Sequence, residues 1–252
     1  MNLEVLKRIL IDSVSPEIKE KFLDGKLSRK EERDILLSNV PDSVGYGHVI
    51  TENGETMIGL ARLNNFHFCI SKVIEDEIEG DIIEAGVWKG GACILARAIC
   101  KENKSNKKVY VADSFEGLPK PDGKYPADNG DPHHTMKFLN IDLDTVKENF
   151  KKYGLLDDKV VFIKGFFKDS LKEVPFKKLS VLRLDGDMYG STWEALDYLY
   201  HKLSIGGYLI IDDFFLPACI KAVNDFRSFH SIKEPIMSID WTGVYWRKEC
   251  HI

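Results

Sequence analysis

Carboxylates recur in this chain at the ends of apolar runs. Val181-Leu182-Arg183-Leu184 stops at Asp185-Gly186-Asp187, and Tyr208-Leu209-Ile210-Ile211 stops at Asp212-Asp213. Short apolar runs bounded by turn residues read as buried strands, so their terminal acids gather at one edge of a sheet. Parallel neighbours lie ~4.8 Å apart. At that spacing Asp185 and the Asp212-Asp213 pair repel unless protonated or bound to a cation. All-oxygen ligation suits Mg²⁺ or Ca²⁺, and no nearby cysteine pair favours zinc. Asp187 is placed to turn outward and cap the following helix. The competing reading makes all four acids solvated caps and turn residues.

Three further strand ends carry residues suited to a nucleoside ligand. The first reads Glu84-Ala85-Gly86-Val87-Trp88-Lys89-Gly90-Gly91. Gly86 lets backbone approach a ligand, and Gly90 and Gly91 open a helix without side-chain obstruction. The spacing departs from the G-x-G-x-x-G of dinucleotide sites, and Glu84 would repel a pyrophosphate. A ligand carrying an amino group fits better, and S-adenosylmethionine has both an ammonium and a sulfonium. Asp113-Ser114 ends the second strand, where an acid can accept from ribose hydroxyls. Gly165-Phe166-Phe167 ends the third, where rings could flank an adenine or belong to the core.

Those residues need a scaffold of alternating strands and helices. Strands are predicted at 80–86, 108–113, 159–164, 179–184 and 208–211, and helices at 92–99, 142–153 and from Pro217 to about His230. Residues 235–247 read as an antiparallel hairpin turning near Asp240-Trp241-Thr242-Gly243. The pattern predicts a doubly wound, mostly parallel sheet with an antiparallel edge. Upstream, Ser28 and Glu31 stand at capping-box spacing. Residues 43–51 read as a glycine-rich loop, and Thr56 as the cap of an apolar helix running from Met57 to Ile74. Ser191 and Glu194 show a second capping-box spacing. His67 lacks a partner at helical spacing and reads as a structural histidine. The organisation expected is an N-terminal helical segment, 1–55, followed by one domain, 56–252.

Between the second strand and its helix lie 26 residues, Glu116 to Ile141, rich in Pro, Gly, Asp and His. Connections in α/β units usually span ~2–6 residues, so this segment reads as a lid or binding element. His133 and His134 stand adjacent within it.

The whole chain of 252 residues has 44% hydrophobic and 30% charged residues, as in a globular protein with a real core. A formal net charge of −5 argues against nucleic acid or an anionic membrane as partner. The five cysteines form no C-x-x-C pair, which fits a reducing cytoplasm. No basic and apolar leader stands at Met1, and no apolar run reaches membrane-spanning length. A cytoplasmic location is expected.

Taken together, the segments Glu84–Gly91, Ala112–Pro119, Leu182–Trp193, Gly206–Asp213 and Gly243–Trp246 resemble the macrocin O-methyltransferase (TylF-type) family, in the family's order. The resemblance runs from about Met57 to Arg247 and leaves residues 1–45 largely outside. It implies a Rossmann-like class I methyltransferase with a seven-stranded sheet, using S-adenosylmethionine and Mg²⁺ to methylate a sugar hydroxyl. By position it implies Asp185, Asp212 and Asp213 as metal ligands. It implies His133 as general base, with His134 adjacent, and Asp185 as a further catalytic group. It implies Glu84 and Asp113 as contacts to the methionine amino group and the ribose, and the full set of cofactor contacts expected is Met57, Glu84, Gly86, Gly90, Asp113, Ser114, Gly165, Phe166 and Asp185. The implied substrate is a small-molecule sugar, with or without a nucleotide, and the implied assembly a homodimer or larger. Lysine-rich composition leans towards a surface-glycan precursor rather than an antibiotic. A natural-product deoxysugar or a catechol-like hydroxyl as acceptor, an inactive cofactor-binding scaffold and an NAD-linked oxidoreductase are the alternatives.

Overall fold

The apolar runs pair edge to edge at the centre of the structure, a computed structural model that describes residues 1–45, 51–174 and 176–251. The strands are β1 (Asp81–Ala85), β2 (Val109–Asp113), β3 (Val160–Lys164), β4 (Leu179–Leu184), β5 (Leu203–Ile211), β6 (Met237–Ser238) and β7 (Val244–Arg247). They form one sheet in the order β3-β2-β1-β4-β5-β7-β6. β1 to β5 run parallel, while β7 is antiparallel to both β5 and β6. The hairpin turn closes because Asp240 Oδ1 accepts from the N–H groups of Thr242 and Gly243 at 3.0 and 2.7 Å. Strand positions match the sequence reading, with β5 beginning earlier, at Leu203.

Helices cover both faces of the sheet. They are α1 (Leu3–Leu10), α2 (Pro16–Leu23), α3 (Arg29–Leu37), α4 (Asp42–Gly45), α5 (Leu60–Glu75), α6 (Gly91–Glu102), α7 (Leu143–Lys152), α8 (Phe167–Ser170), α9 (Tyr189–Leu199) and α10 (Pro217–Phe229). Strand side chains alternate between faces. Ile82, Val109, Val181 and Ile210 therefore join a core with α1, α5, α6 and α7. Ile83, Tyr110, Leu182 and Leu209 join a second core with α9 and α10. Val5, Leu6, Ile9 and Leu10 of α1 are fully buried in the first of these, so the N-terminal segment packs into the sheet domain's own core. Among the described residues no helix is long and apolar enough to cross a membrane.

Helix starts were harder to read than strands. Ser28 and Glu31 form the expected capping box on α3. α5, however, begins at Leu60 after Gly59 and has no side-chain cap, so Thr56 precedes the helix instead of capping it. Ser191 lies buried inside α9, whose N-cap position is Met188. Residues 42–45 form a helical turn, and Tyr46 to Ile50 of the expected loop lie outside the described residues.

Candidate active site at the carboxyl edge of the sheet

Strand order reverses between β1, which pairs with β2 on one side, and β4 on the other. In open α/β sheets a ligand crevice forms beyond the strand ends at such a point. Here the backbone makes that crevice by close contact. Gly86 has φ +90°, and a Cβ on it would sit 1.8 Å from the Asp185 carbonyl oxygen. Only glycine lets the two strand ends meet this way. A cavity of about 700 Å³, counting its open mouth, follows the edge from Phe166 and Asp113 past Gly86 to Asp185 and Asp187.

Several residues singled out in the sequence line this cavity: Met57, Gly86, Asp113, Ser114, Phe166 and Asp185. Asp113 accepts from the backbone N–H groups of Val87 and Phe115, both at 2.8 Å, so it also fixes the turn after β1. Burial raises the Asp113 carboxyl, and those N–H donors oppose the shift. The Ser114 hydroxyl donates to the Gly117 carbonyl at 2.6 Å and shapes the start of the long loop. Phe166 and Phe167 together contribute an apolar wall.

Three expected contacts are not on the wall. Glu84 is 2% exposed and points into an ion-paired layer beneath the cavity. It faces Arg183 in register across β1 and β4, accepts from that guanidinium at 2.5 Å, and accepts from the Cys93 thiol at 2.8 Å. The buried guanidinium demands a counter-charge, and Glu84 supplies it. Gly90 (φ +86°) turns the chain into α6, where a Cβ would meet Val146 at 2.8 Å. Gly165 lies behind Phe166, with its carbonyl accepting from the Ser170 hydroxyl at 2.9 Å.

The acid cluster also differs from the expected set. Oxygens of Asp185, Asp187 and Asp213 all lie within 4.8 Å of one another. Asp212 is fully buried, and both its oxygens are ion-paired, one to Arg183 and one to Arg62. Asp187 does not cap α9. It adopts φ +55°, a left-handed conformation uncommon outside glycine, and its N–H donates to the Asp213 carboxylate at 3.2 Å. Burial, then the charges of Asp212 and Asp213, push the Asp185 carboxyl well above the usual range, against the pull of Arg183. Burial, Asp213, Asp212 and then Asp131 push Asp187 the same way. Crowded carboxylates of this kind fit a hard divalent cation, which would take the place of the protons they otherwise retain.

Residues 116–141 close one side of the site and are tied down at both ends. Asp128 accepts from the N–H groups of Tyr189 and Gly190 at 2.7 and 2.8 Å, and so caps α9 from the loop. Lys124 and Tyr125 donate to the Glu194 carboxylate at 3.0 and 3.1 Å. At the other end, Trp88 Nε1 donates to the Phe138 carbonyl at 2.8 Å. His133 sits on this loop, off the cavity wall. Its Nδ1 lies 2.8 Å from Asp131 Oδ1, an arrangement that leaves Nε2 as the outward nitrogen. His134 is exposed, with Nδ1 3.2 Å from the Asp131 carbonyl. Sequence reasoning missed the arginines Arg62 and Arg183, the Asp128 cap and the cavity residues Trp88, Leu118, Pro119 and Leu139. Arg183 was visible as a charge inside an apolar run, but its partners lie on other strands.

A sheet of this order, with its crevice at the β1/β4 reversal, is the Rossmann-like class I methyltransferase fold. The solved structure of the O-methyltransferase NovP superposes with a TM-score of 0.86 and 36% identity, over 98% of each chain. Mycinamicin III 3''-O-methyltransferase from Micromonospora griseorubida is 48% identical over 77% of this chain and 78% of its own length. A Streptomyces olivaceus enzyme is 45% identical over 76% of this chain and 75% of its own. It is named as an 8-demethyl-8-(2,3-dimethoxy-alpha-L-rhamnosyl)-tetracenomycin-C 4'-O-methyltransferase. Residues 2–248 match the Macrocin-O-methyltransferase (TylF) family, and the chain belongs to it. It is an O-methyltransferase, which removes the scaffold and NAD-linked readings.

Proposed function

We propose that this protein transfers a methyl group from S-adenosylmethionine to a sugar hydroxyl, with Mg²⁺ at the acid cluster. The observation that carries the reading is one continuous cavity with an apolar and acidic nucleoside end at Phe166 and Asp113 and a second acidic end at Asp185 and Asp187, which cluster with Asp213. A relative named for a methylated rhamnosyl ring supports a sugar over a catechol as acceptor. When bound, S-adenosylmethionine supplies an electrophilic methyl group, and Mg²⁺ stabilises negative charge on an acceptor oxygen.

The chain's own residues do the rest. Asp113 presents a carboxylate to the ribose, and Phe166 and Phe167 enclose the base. Asp185 and Asp213 are proposed as metal ligands, with Asp187 completing the set in the geometry described. Asp212 is proposed as a further ligand that also braces Arg62 and Arg183, since each of its oxygens keeps a lone pair beyond the one its arginine uses. His133, oriented by Asp131, is the proposed base that takes the hydroxyl proton, a step worth ~10²–10⁴ in rate. The loop 116–141 excludes water from the reacting atoms.

The test is to incubate the protein with S-adenosylmethionine, Mg²⁺ and a panel of glycosidic sugars, nucleotide-linked sugars and catechols, and to follow methylation by mass spectrometry. Sugar methylation lost with chelator supports the reading. Methylation of catechols alone would replace it, and sugar methylation undiminished in chelator would remove the metal from it.

A further inference from the structure

Two aromatic rings flank the acid edge outside the cavity. Phe215 and Trp241 are 38% and 60% exposed, and they pack edge to face with centroids 4.8 Å apart. Their places are fixed by the acids themselves. Phe215 lies in the turn directly after Asp213, where the Leu216 N–H donates to the Asp213 carbonyl at 3.0 Å. Trp241 lies in the β6–β7 turn between two residues tied to Asp212. On one side, Asp240 is ion-paired at 3.2 Å to Arg62, which in turn holds the Asp212 carboxylate. On the other, the Thr242 hydroxyl donates to the Asp212 carbonyl at 2.7 Å. The cavity wall includes Asp185 and Asp187 but neither ring.

A pyranose presents two chemistries at once: hydroxyls around its rim and an apolar face of C–H groups. Carboxylates suit the first and an aromatic face suits the second. We propose that Phe215 and Trp241 form the acceptor platform, on which the C–H face of a pyranose lies while one of its hydroxyls reaches the Asp185, Asp187 and Asp213 cluster. This rests on the sugar-methylation reading above. The continuity of the rings with the acid edge selects a sugar over a protein partner, because the adjoining groups are hydroxyl acceptors. The hydrogen-bonded turns that carry both rings set which hydroxyl meets the cluster, so the pair determines regiospecificity as well as affinity.

The test compares the wild type with Trp241→Ala, Trp241→Phe and Phe215→Ala. The probes are methyl glycosides of 6-deoxyhexoses and their nucleoside-diphosphate-linked counterparts. Both rings are exposed at turns, so circular dichroism should be unchanged. Loss of one stacked ring should raise KM for the acceptor roughly tenfold, leave KM for S-adenosylmethionine unchanged, and be largely restored in Trp241→Phe. Saturation-transfer NMR reads binding separately from turnover, and the sugar ring protons should lose their signal in Trp241→Ala. Sugar methylation with an unchanged acceptor KM in both alanine variants would overturn the platform and leave the activity reading standing. Ring-proton saturation in the wild type that is lost in Trp241→Ala, without methylation of any sugar, would uphold the platform and sink the activity reading. An absence of saturation for every glycoside in the wild type would overturn the platform. So would a change of oligomeric mass in Trp241→Ala with acceptor binding intact, which would assign the rings to self-association.

Discussion

Two layers of acid stand at the same sheet edge, and they are treated differently by the fold. The inner layer is a chain of ion pairs running from Glu84 through Arg183, Asp212 and Arg62 to Asp240, with every member buried or nearly so. The outer layer is Asp185, Asp187 and Asp213, whose oxygens lie within 4.8 Å of one another, and Arg183 reaches it at Asp185, 3.1 Å away. Four carboxylates, Glu84, Asp185, Asp212 and Asp240, are thus ion-paired with two guanidinium groups. The inner layer carries its counter-charge with it, while the outer carboxylates crowd one another, the kind of environment that perturbs titration at functional sites.

The contrast is most exposed to test from the inner side. Arg183→Met strands Glu84 as a buried carboxylate and leaves Asp212 with Arg62 alone, and should cost ~3–5 kcal/mol in urea unfolding. An effect below ~1 kcal/mol would mean the inner pairs are solvated and the two layers are not distinct. On the outer side, Asp185→Asn should cut methyl transfer by ~10²–10⁴ while the cation-free protein is as stable as wild type or more so. Matched losses of stability and activity would erase the difference between the layers.

A third experiment uses pH. Asp185 and Asp187 hold their protons above the usual carboxylate range in the folded state. Their contribution to the stability of cation-free protein is therefore complete below ~pH 4 and is lost as pH rises through the raised values. Mg²⁺ should then raise Tm more at about pH 8 than at about pH 5, and by less in Asp185→Asn. An equal Mg²⁺ effect at both would place the cation elsewhere. The smallest expected effect is at the loop. Asp128→Ala removes the cap on α9 and should cost ~1 kcal/mol, with a raised acceptor KM measured in steady-state assays.

Strand ends were the most legible part of the chain. Apolar runs that stop at Glu84, Asp113, Asp185 and Asp212 announce both the strand and its terminal acid, because burial and polarity change within one residue. Helix starts were less so. The cap of α9 comes from Asp128, more than sixty residues upstream of the N–H groups it serves, and local spacing pointed to Ser191 instead. The arginine partners of Glu84 and Asp212 are not legible in the sequence, because a carboxylate at a strand end looks the same whether it faces a cavity or an arginine. Which it faces depends on the register of Glu84 against Arg183 and on Arg62 arriving from α5. Asp187 was misread as a cap because its left-handed backbone, which turns it back towards Asp213, leaves no mark on its neighbours in sequence.

The central claim is that the outer carboxylates complete themselves with a cation and through it activate an acceptor hydroxyl. Titration calorimetry of chelator-stripped protein with Mg²⁺ tests it directly, run beside methyl transfer on the same samples. The account predicts a single site per chain in the wild type, lost in Asp185→Asn and Asp213→Asn together with activity, while both variants keep the wild-type circular dichroism. Wild-type Mg²⁺ binding and methyl transfer in both variants would contradict it.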